Sequence, residues 1–445
     1  MAVKHALRAV GFALLAVAAI GVLAYPRPSD RKYPDRKPVR FWHMWSGEWK
    51  EVIDKIATQF NESQTEYELI ALSVPSGAST KCLLGVAGGD PPDVMAQWEA
   101  VIPTWAEKGV IQPLDDLLTP EEKARFDELA YPAVKRIGTF NGKLYALTPT
   151  MNLSAVYVNV KQLKEIGVDP YKEFPKTLED LINLGKRLDR FDKDKTLIRQ
   201  GFNLGNWNNL APLFGGGFYD FQKNELTLDR PENVRALETL VAERKRVGFD
   251  NIVRFNSGFG PDSGGQWSFL SGKISMVVDG QWRVQQIGKF MPDFEYVIYP
   301  IPPPKGGKAL AGSTNGNQMI VPSGAKEPKG AIAFIKYWAG LNDPETAADF
   351  LNWGGWLPMT SNVAESKKFQ AYLTKYPQFR TFVDLMPSEN FQPAPPITSQ
   401  MFVGDTINRV QDLALRGTLT PQQAVESLKA GVAEEVARRK ELGYD

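Results

Sequence analysis

The chain is poor in the residue types that most often carry reactive chemistry. It has one cysteine, Cys82, so no internal disulfide can form. Its neighbours Leu83, Leu84 and Val86 point to a buried, inert thiol. There are two histidines, His5 and His43. A His-rich zinc site or a Ser-His-Asp triad would have to rest on His43 alone, which weakens most hydrolase readings. No metal and no cofactor are expected. Neither sign of charge dominates: 52 basic residues face 51 acidic ones, for a net charge of +1. No long like-charge block stands out, which argues against a nucleic-acid surface. Long apolar runs are also scarce. Residues 9–24 form one, and nothing after them approaches the ~20 residues that a membrane span needs.

What is present is the composition of a large exported globular body. With 445 residues, 43% of them hydrophobic, the chain is too long for one simple core and implies two or three packed units. Lys4 and Arg8 precede the apolar run, the pattern of a secretory signal with cleavage after Ala24; an uncleaved anchor is the alternative. No cysteine follows the run, so no lipid anchor is expected there. Residues 25–38 are proline-rich and charged and read as a tether. Localisation is therefore expected to be periplasmic or otherwise extracytoplasmic, with residues 9–24 as a possible tether to the inner membrane.

The body opens with a strand at residues 39–42, then a helix carrying Val52, Ile53, Ile56 and Phe60 at helical spacing. Strands at 67–72 and 93–96 follow, the latter after the breaker Gly88-Gly89-Asp90-Pro91-Pro92. This β-α-β-α-β order predicts a parallel sheet covered by helices. Later helix starts are marked by Thr177, with Asp180 three residues on, and by Thr420 before Pro421.

Several segments, in order, resemble family 1 extracellular solute-binding proteins of ABC transporters, the maltose-binding-protein-like group. They are Val39-Arg40-Phe41-Trp42-His43-Met44-Trp45-Ser46-Gly47, Ala87-Gly88-Gly89-Asp90-Pro91-Pro92-Asp93-Val94, Asn141-Gly142-Lys143-Leu144-Tyr145-Ala146, Phe269-Leu270-Ser271-Gly272-Lys273-Ile274, Asp279-Gly280-Gln281-Trp282 and Gly354-Gly355-Trp356-Leu357-Pro358. The resemblance spans residues 39–440. It implies an α/β, bilobal periplasmic-binding-protein-like (type II) fold, with two parallel-core sheet lobes joined by hinge crossovers. Residues 39–148 and 310–353 would form lobe 1, and residues 149–309 and 354–445 lobe 2. It implies a non-enzymatic receptor that closes over a sugar, expected to be an oligosaccharide, and delivers it to a membrane ABC permease. The receptor would act as a monomer.

The same resemblance, with loop position and residue chemistry, points to ligand-binding residues. The first loops offer Trp45, Glu48, Gln97, Trp98 and Glu99. Asn152, Trp207, Asp279, Trp282, Asn315, Trp356 and Phe402 complete the set. Indole faces suit sugar rings and amides suit hydroxyls. Each has a plainer reading: tryptophans fill cores, and carboxylates cap helices or face solvent. Two other functions stay open here. One is a secreted carbohydrate-active enzyme drawing its acid/base pair from Glu48, Glu99 and Asp279. The other is a receptor for a non-sugar solute.

Overall fold

The structure, a computed structural model, describes residues 31–98, 101–258 and 264–443. The apolar run at 9–24, the first part of the tether and Glu99 lie outside the described residues.

Two five-stranded sheets organise the chain. In the first, Lys37–His43 lies between Tyr67–Ser73 and Val94–Gln97, all three parallel. Asn315–Ile320 and then Ala146–Asn152 extend this sheet in the antiparallel sense. The expected parallel start is thus present, and the antiparallel strands are the ones that pass directly between the two sheets. Val39, Phe41 and His43 alternate onto one buried face, as strand geometry requires. They meet the helix Pro328–Ala339, where Phe41 lies 5.0 Å from Phe334. The helix Glu48–Ser63 seals the same face with Ile53, Ile56 and Phe60.

The Asp90–Asp93 segment explains itself in this sheet. Asp93 is fully buried. It accepts hydrogen bonds from the backbone N–H groups of Arg40 (2.8 Å), Lys326 (2.7 Å) and Glu327 (2.9 Å). One carboxylate therefore joins the first strand to the start of a helix more than 200 residues later. A buried charge is tolerable because each contact is a directed donor.

The second sheet runs Tyr296–Tyr299, Ser154–Asn159, Ile274–Gly280, Leu197–Asn203, Arg190–Phe191. Tyr157 at its centre is fully buried and donates its hydroxyl to the carbonyl of Gly280 at 2.7 Å. The helices Pro231–Val247, Gln400–Leu415 and Pro421–Glu441 pack together against this lobe through Leu237, Ile407 and Leu428. Thr177 and Thr420 cap their helices as expected, the second with Gln423 in a reciprocal capping box.

The chain leaves the first sheet at Asn152 and enters the second at Ser154. It returns through Gly312–Ser313, which pairs with Phe391–Gln392, and re-enters the first sheet at Asn315. The last part of the proline-rich tether is docked rather than free. Arg31 makes an ion pair with Glu68 at 2.6 Å, and the Tyr33 N–H donates to the same carboxylate. No helix among the described residues is long and apolar enough to cross a membrane.

Candidate ligand-binding cleft

A cavity of about 380 Å³ opens between the two sheets, within the size range of small-molecule sites. Its floor is made where the chain passes between lobes. There Asn152 donates from Nδ2 to Oδ1 of Asn315 at 2.9 Å, and the Thr314 hydroxyl donates to the Asn152 carbonyl at 2.9 Å. Each lobe supplies an indole. Trp98 follows the strand Val94–Gln97 and is 57% exposed. Trp282 opens the helix Trp282–Phe290 directly after the strand Ile274–Gly280.

The run Gly215-Gly216-Gly217 shapes a further wall. Gly217 adopts φ +124°, and a Cβ there would collide with the Gln392 amide. Gln392 Nε2 donates to the Gly216 carbonyl at 3.1 Å. Buried Asn233 holds this loop by accepting from the Gly217 N–H at 2.7 Å and donating to its carbonyl at 2.9 Å. Glycine is needed here for a backbone conformation other residues rarely adopt and for close approach of a side chain. Phe218 and Tyr219 follow immediately and line the cavity.

Of the twelve expected contacts, Trp98, Asn152, Trp282 and Asn315 come together in this cleft. Others sit elsewhere. Trp45 stacks on Trp338 (5.5 Å) and contacts Trp356 (5.6 Å), inside a buried hydrophobic cluster. Trp207 is fully buried and donates its indole N–H to the carbonyl of Asn233 at 2.8 Å. Gln97 is buried and donates to the Ser79 hydroxyl at 2.6 Å. Asp279 is paired with Arg283 at 2.9 Å. Glu48 is engaged across the lobes by Lys289. Phe402 lies on the helix Gln400–Leu415, whose cleft-facing residues are Gln400, Gly404, Ile407 and Asn408. At about 100° per residue, position 402 points away from that face.

The residues that sequence reasoning missed are polar and scattered: Ser154, Asn208, Tyr219, Gln392, Gln400 and Asn408. One signal was available, since Gln400, Gly404 and Asn408 recur every four residues on one helix. No charged side chain lines this cavity among the described residues; Arg136 lines an adjoining hollow that shares Trp98, Thr314, Asn315 and Gln400 with it, and is paired with Glu389. Two other hollows, of about 400 and 460 Å³, open on the outside of the second lobe, around Arg235 and around Lys161.

His43 lies outside the cleft. It is buried between Phe41 (5.3 Å) and Trp45 (5.9 Å), and burial pushes its pKa down to about 4. Burial also pushes the Cys82 thiol up to about 12, as an inert thiol requires.

The lobes meet at both ends of the cleft. Besides Lys289 and Glu48, Arg439 pairs with Glu107 at 2.9 Å, and the Thr104 hydroxyl donates to the carbonyl of Thr398 at 2.6 Å.

The family model of the bacterial extracellular solute-binding proteins matches residues 55–381. The chain belongs to this family. The resemblance read from the ordered motifs is therefore borne out. Among its relatives is the sn-glycerol-3-phosphate-binding periplasmic protein UgpB of Escherichia coli (strain K12), 23% identical over 87% of this chain and 90% of the relative. The mannotriose-bound structure of CpMnBP1 is 25% identical with a TM-score of 0.77, over 89% of this chain and 100% of that one. The maltotriose-bound maltose/maltodextrin-binding domain MalE from Bdellovibrio bacteriovorus is 19% identical with a TM-score of 0.68, over 90% and 100%. The fold is the two-lobed α/β fold of periplasmic binding proteins. As a solute-binding protein of this family, the chain works outside the cytoplasm, catalyses nothing, and delivers its ligand to an ABC permease.

Proposed function

We propose that this solute-binding protein captures a neutral oligosaccharide between its lobes. The observation that carries the reading is the cleft's chemistry: an indole from each lobe, a ring of amides and hydroxyls, and no charged lining residue among those described. Indoles stack on the apolar faces of sugar rings, each contributing about 0.5–1.5 kcal/mol beyond area burial. Amides match hydroxyls as both donors and acceptors. A phosphate ester such as the glycerol phosphate bound by UgpB would call for a cationic side chain on the wall. The mannotriose held by CpMnBP1 and the maltotriose held by MalE are ligands of the favoured class. In this reading the remaining expected residues, Glu99 apart, support the lobes, the two hinge passages lie at Asn152–Ser154 and Gly312–Asn315, and the receptor acts as a monomer. The N-terminal apolar segment directs export, with or without staying as an anchor.

Titration calorimetry with mannotriose, maltotriose and sn-glycerol-3-phosphate tests this. Micromolar binding of a neutral sugar, with no binding of the phosphate ester, is expected. Tight binding of the phosphate ester alone would overturn the reading.

A further inference from the structure

The residue beside Trp282 organises the floor of the cleft. Gln281 is fully buried where the chain passes between the sheets. Its Oε1 accepts from the backbone N–H of Leu153 at 3.2 Å, and its Nε2 donates to the backbone carbonyl of Met151 at 3.1 Å. A backbone N–H only donates and a carbonyl only accepts, so the Gln281 amide has one allowed orientation. The same Nε2 donates to Oδ1 of Asn152 at 2.9 Å. That commits Asn152 to present its own Nδ2 outward, where it donates to Oδ1 of Asn315. The orientation of Asn315, which lines the cleft, follows in turn: its Oδ1 is taken by Asn152, so its Nδ2 is the amide group left to a ligand.

We propose that Gln281 is a positioning residue which fixes the polarity of an amide relay, Gln281 to Asn152 to Asn315. The relay makes the cleft floor a donor of N–H groups. It is set by the backbone before any ligand arrives, so it costs no reorientation on binding. The floor therefore selects ligands that bring an oxygen lone pair to this point, such as a ring, glycosidic or hydroxyl oxygen. It rejects groups that can only donate, such as an ammonium. Asn152 and Asn315 belong to the two strands that pass between the lobes, so the relay ties ligand polarity to the hinge. The ligand arm of this inference rests on the neutral-sugar reading; the relay itself does not.

The test uses Gln281→Glu, which is nearly isosteric. At neutral pH its carboxylate still accepts from Leu153 but has no proton for Asn152, so Asn152 and then Asn315 must reverse. In nitrogen-15 spectra of the unliganded chain, the side-chain NH₂ signals of Asn152 and Asn315 are expected to shift, with distant backbone signals unchanged. Mannotriose affinity is expected to fall at least tenfold at pH 7.5. It should recover toward the wild-type value measured at the same pH as the carboxyl takes up a proton under mildly acidic conditions. Asn315→Asp keeps Gln281 in place and still accepts from Asn152, but turns the cleft-facing donor into an acceptor; it too should lose at least tenfold, and it decides the matter if Gln281→Glu does not fold. Unchanged Asn152 and Asn315 signals in Gln281→Glu, or wild-type affinity in Asn315→Asp, would overturn the relay. Shifted signals in a chain whose wild type binds no sugar would uphold the relay and refute the sugar reading alone.

Discussion

The indole of Trp282 lies across Gly280, so closely that a Cβ at position 280 would come within 2.1 Å of a ring carbon. Glycine ends the strand there and lets the ring settle on bare backbone. Gly280→Ala is expected to displace the indole from the cleft wall. Calorimetry should show a loss of about one stacking contact, roughly a tenfold weaker affinity. A wild-type affinity in this variant would mean that Trp282 does not touch the ligand.

Two tryptophans should behave in opposite ways. Trp98→Ala removes an exposed indole and is expected to weaken sugar binding while leaving the urea midpoint nearly unchanged. Trp207→Ala removes a fully buried one. It should cost roughly 3–5 kcal/mol of stability, the range for emptying a core aromatic site. Urea titration and calorimetry on both variants separate the roles.

The Lys289–Glu48 pair joins the lobes at one end of the cleft. Both side chains are partly exposed, so its effect should be modest, below about 1 kcal/mol. Lys289→Glu is expected to raise the ligand dissociation rate by a few-fold, and by more at low salt where screening is weak. Arg439→Ala should have a larger effect, because Arg439 is buried against Glu107. Stopped-flow tryptophan fluorescence reads both, since two indoles line the cleft.

Acid should loosen the first lobe through His43. Burial is the main cause of its low pKa; Asp54 raises it slightly and Lys50 lowers it. The folded value is about 4 against an unfolded value near 6.5. Between these values the unfolded chain binds the proton and the folded chain does not. Stability from this group is therefore complete above pH 6.5 and falls as the pH drops toward 4, by up to roughly 3 kcal/mol. His43→Leu should flatten the wild-type decline between pH 6.5 and 5 in urea melts.

The first three strands and the helix caps were readable because they depend on local pattern. The spacing of Val52, Ile53, Ile56 and Phe60 and the Thr-Pro start at 420 need no distant partner. The tryptophans were not separable in this way. Trp45 and Trp98 both follow strands of the first sheet. What differs is that the helix Pro328–Ala339 brings Trp338 onto Trp45 and leaves Trp98 open. The same limit hid Gln392 and Asn408. Gln392 reaches the cleft through contacts with a glycine loop and a hinge strand that lie far away in sequence, and Asn408 faces a cavity whose other walls come from distant segments. Asp93 shows the converse case, since its motif was legible but its role is to fasten backbone rather than to hold ligand.

A neutral cargo, meeting a cavity whose described lining is uncharged, would feel little pull from a distance. Capture then proceeds at the pace of diffusion and orientation, indifferent to the salinity of the surrounding medium. Only escape, governed by the ionic clasps at the rim, would feel it. For a receptor that works outside the cell's buffered interior, such a division would keep the capture of a neutral ligand steady while the environment varies.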